Sequence, residues 1–139
     1  VCLGGRVAEQ LVLGDISTGA SNDIQKASSI ARAMVTKYGM SEKLGTIAYG
    51  NESDEVFIGR TMAQARSYSE DVAGLIDEEV KSIVDRAYAR CEEILTRCRP
   101  QLELTAQYLL AHETMSGAEF AKVFTDPEAE EFLALPSAT

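Results

Sequence analysis

Histidine is almost absent from this chain of 139 residues: His112 stands alone. Cysteine is scarce and odd in number, with Cys2, Cys91 and Cys98 far apart in sequence or on one predicted helix face. A self-contained zinc site as a rule draws on at least three protein ligands, and these residues do not supply such a set. An odd count without a framework of close spacings excludes a disulfide scaffold and suits free thiols in a reducing compartment. Basic residues are outnumbered, thirteen Lys and Arg against twenty-two Asp and Glu, for a net charge of -9. That excludes a nucleic-acid partner held through phosphates, which needs a cationic patch. Acidity alone names no other partner. No apolar run reaches the length of a membrane span, and no stretch reads as a signal peptide. A phosphate-cradling loop is missing too, since GGR at Gly4–Arg6 has neither the following Lys-Thr pair nor a strand before it. No nucleophile stands beside a base in a recognisable constellation.

What is present describes a foldable, mainly α-helical chain. It is 45% hydrophobic and 25% charged, with three prolines. This length supports one domain with its own core. The chain opens at Val1, without methionine and already inside an apolar run, and reads as a piece excised from a longer one. Val1–Leu13 places Val1, Leu3, Val7, Ala8, Leu11 and Val12 at helical spacing. Gly4 and Gly5 cost helix propensity there, about 1 kcal/mol each, and predict another segment packed close to the backbone. Gly14 and Asp15 end the element.

A second helix is predicted to about Tyr38, capped by Ser21 or Asn22, with Ile24, Ala27, Ile30, Ala31, Met34 and Val35 inward and Gly39 as its stop. Residues 40–66 read as a long ordered connection, with a short β ribbon allowed within 45–60; a connection of that length is a candidate lid or interface. The clearest element is a helix over about 67–98. SYSE (Ser67–Glu70) has capping-box spacing, and steps of three and four run from Val72 to Cys98. Those mixed steps favour a helical bundle over a coiled coil. On its other side Glu78 and Glu92 belong to a solvated face. Pro100 opens a helix over Gln101–Glu113 with Leu102, Ala106, Leu109 and Leu110 inward. SGAE (Ser116–Glu119) is a second capping box, before Phe120, Val123 and Phe124. Residues 1–124 form one unit in this reading, and 125–139 a tail.

The stretch STGASNDIQKA (Ser17–Ala27) holds the residue of most interest. Asp23 falls in the first turn of a predicted helix, where free N–H groups and the positive end of the helix favour a carboxylate. The same position also suits a metal ligand that points out of the helix opening, with Glu9 on the preceding helix steadying a ligand imidazole. Spacing does not choose between these roles. His112, beside Glu113 near a helix end, reads as a surface or capping histidine.

GGRVAEQLVLG (Gly4–Gly14), STGASNDIQKASSIARAMVTKYGMSEKLG (Ser17–Gly45), VFIGR (Val56–Arg60), IDEEVKSIVDRAYARCEEIL (Ile76–Leu95) and the HET segment at His112–Thr114 together resemble the peptidase domain of FtsH-type ATP-dependent AAA+ zinc metalloproteases, up to about Phe124. The resemblance implies a mainly helical fold in which two histidines of an H-E-x-x-H helix and a later aspartate bind zinc. It makes Asp23 that aspartate, the third zinc ligand, and Glu9 the carboxylate that supports the ligand shell. It places the H-E-x-x-H helix, with its general-base glutamate, upstream of GGR; the motif does not occur in this sequence, so no catalytic residue is assigned here. It further implies a homohexamer beneath an ATPase ring that uses ATP and Mg2+ in a separate domain and feeds in unfolded membrane and cytoplasmic proteins. In the resemblance part of 40–66 and of the long helix meets neighbouring subunits or the chamber. The parent would sit in a bacterial cytoplasmic membrane through segments absent here, its protease side in the cytoplasm. The expectation for the 139 residues alone is a soluble piece that neither cleaves peptides nor holds zinc tightly. The competing expectation is a non-catalytic helical scaffold, a pseudoprotease that binds protein partners.

Overall fold

The computed structural model describes residues 1–14, 17–49 and 68–125. Among them lie five helices: α1 (Gly4–Leu13), α2 (Ser21–Thr36), α3 (Glu70–Arg97), α4 (Arg99–His112) and α5 (Gly117–Thr125). The fold is mainly α, as the periodicity predicts. The ribbon allowed within 45–60 does not form over 45–49, where the described chain has only an isolated antiparallel bridge between Ser41 and Gly45. Residues 50–60, VFIGR among them, lie outside the described residues, as does the tail beyond Thr125. No described helix is long and apolar enough to cross a membrane.

The chain forms two compact units, Val1–Cys91 and Glu92–Thr139, divided within α3. The core of the first is Val35 from α2, Leu44 from the connection and Ile76 from α3, with Tyr49, Tyr68, Val72, Val80 and Ile83 packed against it. Val35 and Ile76 are fully buried. Tyr49 and Tyr68 meet edge to face at 6.0 Å. Polar groups near this core are partnered. The buried Ser41 hydroxyl donates to Glu79 Oε2 at 2.7 Å and accepts from the Leu44 N–H at 3.2 Å. Lys43 Nζ lies 3.2 Å from Glu79 Oε1. The Ser41 hydroxyl first and Lys43 second hold the Glu79 carboxyl below the usual glutamate range. Arg32 on α2 donates to Asp77 on α3 at 2.9 Å.

Helix ends follow local chemistry. Gly39 stops α2 as predicted: its φ is +60° and Met40 N–H reaches back to Met34 O at 3.0 Å. A Cβ at Gly39 would stand 2.9 Å from Thr46 Cα, so the turn also needs glycine for space. The cap of α2 differs from expectation. Ala20 holds the cap position without a side-chain bond, and Ser21 and Asn22 are already helical. Helix α3 begins at Glu70, and Ser69 Oγ accepts from Val72 N–H at 3.3 Å, so Ser69 supplies the hydroxyl expected of Ser67, which lies outside the described residues. Pro100 sits in the first turn of α4, where its missing N–H costs nothing.

The second capping box forms as read. Ser116 N–H donates to Glu119 Oε2 at 2.7 Å, and Glu119 N–H donates to Ser116 Oγ at 3.2 Å. Tyr108 of α4 adds its hydroxyl to Glu119 Oε1 at 2.7 Å. Three inward assignments are overturned: Leu109, Leu110 and Ala106 of α4 are exposed, Leu110 at 86%. Ile24 and Ile30 of α2 are exposed as well, leaving Ala31 and Val35 as its buried apolar residues. At Gly4 and Gly5 a Cβ would meet nothing within 4 Å, so the close approach inferred from that pair is not made by any described residue.

Candidate metal centre

Helix α1 is pinned through Leu3 and Val7, both buried, and stops at Gly14, whose φ of +65° is left-handed. On the side facing the turn before α2 it carries Glu9. Ser17 Oγ donates to Glu9 Oε1 at 2.9 Å, and Ser17 N–H approaches Glu9 Oε2 at 3.4 Å. Ser17 Oγ in turn accepts from Gly19 N–H at 3.1 Å. Ser21 N–H then donates to Thr18 O at 3.1 Å, which closes the turn onto the helix.

Asp23 is the third residue of α2, in the first turn as read, and is exposed. Among the described residues no side chain or backbone group is bonded to its carboxylate. The electrostatic reason for an acid here is its place in the first turn, at the positive end of the helix dipole. A hard oxygen donor that is exposed and unspent fits one position in a zinc shell. It does not make a site. No cluster of three or more His, Cys, Asp or Glu among the described residues could hold a metal ion. Glu9 accepts from Ser17 in the turn that precedes α2, and no direct bond to Asp23 is made. Sequence reading named both carboxylates and Ser17 as a small turn residue, and did not foresee that the Ser17 hydroxyl bonds Glu9. Its signal was slight: a serine two residues before a glycine at a helix opening, eight residues after a carboxylate.

The other polar candidates have partners or surroundings of their own. His112 ends α4, exposed, its ring stacked on Tyr108 at 4.3 Å and its Nδ1 3.2 Å from Tyr108 O. That is the surface histidine expected. Cys2, Cys91 and Cys98 are free and half-buried.

The opening of α2 thus presents one exposed carboxylate, Asp23, and the turn before it is tied to Glu9 of α1 through Ser17. The model of peptidase family M41 matches residues 1–123, and the chain belongs to that family. Among its curated relatives, the ATP-dependent zinc metalloprotease FtsH of Caldicellulosiruptor bescii is 55% identical over 92% of this chain. That of Ruminiclostridium cellulolyticum is 51% identical over 94% of this chain. The FtsH 1 protein of Sphaerobacter thermophilus is 45% identical over the whole of it. The chain spans 21% of the length of each of these relatives.

Proposed function

We propose that this chain contributes Asp23 as one ligand, and Glu9 as a supporting carboxylate, to the zinc centre of an ATP-dependent metalloendopeptidase. The remaining ligands and the general base come from sequence outside these 139 residues. The observation that carries the reading is the unspent Asp23 carboxylate at the opening of α2 in a chain of family M41. Bound zinc supplies Lewis acidity toward a peptide carbonyl and lowers the pKa of a water. The work of this chain is positional: Asp23 offers an oxygen, and Glu9 has remaining lone pairs to accept an imidazole N–H from a ligand histidine.

The whole protein in this reading is a homohexamer that takes unfolded membrane and cytoplasmic polypeptides in protein quality control. It draws on ATP and Mg2+ in a separate domain and is anchored in a bacterial cytoplasmic membrane with its protease side in the cytoplasm. The FtsH names of the relatives support the zinc, protease and ATP-dependent parts. The 139-residue chain alone neither hydrolyses peptides nor retains zinc. The test is casein hydrolysis with added zinc, by the chain alone and by the protease subunit that carries it. The subunit is expected to turn over in a chelator-sensitive way and the chain not at all. Equal turnover by both would refute the division of labour, and inactivity of a zinc-loaded subunit would favour the scaffold.

A further inference from the structure

Glu9 is held by a side chain to which neither the metal nor the chemistry gives a role. Val7, 1% exposed, anchors α1, the helix that carries Glu9. The Glu9 carboxylate takes two donors from one residue, the Ser17 hydroxyl at 2.9 Å and the Ser17 N–H at 3.4 Å. The same hydroxyl accepts from Gly19 N–H at 3.1 Å. The path from Gly19 to the helix is short. Ala20 holds the cap position, is 5% exposed, and accepts from Ile24 N–H at 3.0 Å. Asp23 lies within that first turn.

Ala20 brings no side-chain cap, so α2 lacks the usual local device that fixes a helix start. Ser17 takes over that function from outside the helix. Its hydroxyl donates once and accepts once, which uses a two-way character that alanine or valine does not reproduce. Gly19 leaves room for this: a Cβ there would stand 3.2 Å from Ser17 Oγ and 3.8 Å from Glu9 Oε1.

We propose that Ser17 is a positioning residue for the metal-ligating carboxylate: by tying Glu9 to the Ser17–Gly19 turn, it sets where α2 begins and so where Asp23 is presented. This rests on the reading of Asp23 as a zinc ligand. A ligand oxygen must sit within roughly 0.2 Å of its ideal distance. Among the described residues Asp23 has no polar partner of its own, so the turn before it determines that placement. Ser17 touches no metal and no substrate, and it acts through Glu9 and the backbone.

The experiment measures zinc affinity of the protease subunit that carries this sequence, by competition with a chromophoric chelator. It compares the unaltered protein with Ser17→Ala, Ser17→Thr and Asp23→Asn. Loss of a group that orients a metal ligand weakens binding on the order of 10-fold to 100-fold. Ser17→Ala is expected at the lower end of that range, Ser17→Thr close to the unaltered protein, and Asp23→Asn beyond both. Amide hydrogen exchange on the zinc-free protein separates local from global effects. Ser17→Ala should speed exchange at Gly19 and leave the α3 amides unchanged. Unchanged zinc affinity in Ser17→Ala, with Asp23→Asn impaired, overturns this inference alone. Equal losses in Ser17→Ala and Ser17→Thr overturn it too, since the hydroxyl would then be irrelevant. Unchanged affinity in Asp23→Asn overturns the reading of the site itself.

Discussion

Replacing Ile76 by alanine removes the central side chain of the first unit. Ile76 is fully buried between Val35 of α2 and Leu44. The change deletes three carbons, each worth about 0.8 kcal/mol in lost burial, or roughly 2.4 kcal/mol together. A residual cavity adds to that, and Ile or Leu to Ala changes in cores span about 2–5 kcal/mol. Tyr49, Tyr68, Val72, Val80 and Ile83 surround the position and are only partly buried, so they can relax into the space. The expected cost is therefore about 3 kcal/mol, in the lower half of that span. Urea unfolding followed by far-UV circular dichroism reads it directly. With a slope of about 1.5 kcal/mol/M the midpoint falls by roughly 2 M. Leu110→Ala is the control, since Leu110 is 86% exposed and a surface change is worth at most about 0.5 kcal/mol. If Ile76→Ala costs no more than Leu110→Ala, Ile76 is not the centre of the core and the packing of α2 on α3 is misjudged.

Two further outcomes follow from backbone and charge. Gly39→Ala should destabilise more than Gly45→Ala: both have positive φ, which costs an L-residue about 1–2 kcal/mol, but only Gly39 also places its Cβ 2.9 Å from Thr46 Cα. Equal thermal midpoints for the two variants would refute the close approach. The Glu119 carboxyl is lowered to about 2 by the Ser116 hydroxyl, the Ser116 N–H and the Tyr108 hydroxyl, from an ordinary value of 4.5. A lowered carboxylate stabilises the fold above its unfolded pKa, so this contribution is whole at neutral pH and is lost as pH falls from about 4.5 toward about 2. Tyr108→Phe should move the Glu119 midpoint upward in an NMR titration, and an ordinary glutamate midpoint in the unaltered protein would refute the network.

The elements legible in the sequence are those whose signals are local and redundant. The long helix α3 announced itself through apolar steps of three and four over most of its length, and α5 through a box whose two members bond each other. Gly39 was legible because a positive φ at a helix end is a backbone demand that few residues meet. The failures have a common physical source, which is that several residues of the right chemistry stood near one position. Ser69 caps α3 where Ser67 was expected, because capping depends on whether a hydroxyl reaches an N–H and both serines suit the composition. Ala20 displaced Ser21 and Asn22 at the start of α2, because the Ser17–Glu9 contact fixes the turn from a distance that a local pattern does not register. Leu109 and Leu110 of α4 are adjacent and point to different sides, so apolarity alone did not say which is covered; both are exposed. At the site, the resemblance implied roles for Asp23 and Glu9 by motif, and residue spacing by itself left the helix-opening and metal roles of Asp23 open.

Zinc K-edge absorption on the protease subunit that carries this sequence tests the central claim most directly. With Asp23 as ligand, the unaltered protein should show a mixed nitrogen and oxygen shell whose carboxylate oxygen lies at about 2.0–2.2 Å, and Asp23→Asn should lose that oxygen or the metal itself. The same spectrum and zinc content in both proteins would contradict the account, and would leave Asp23 as a helix-opening residue only.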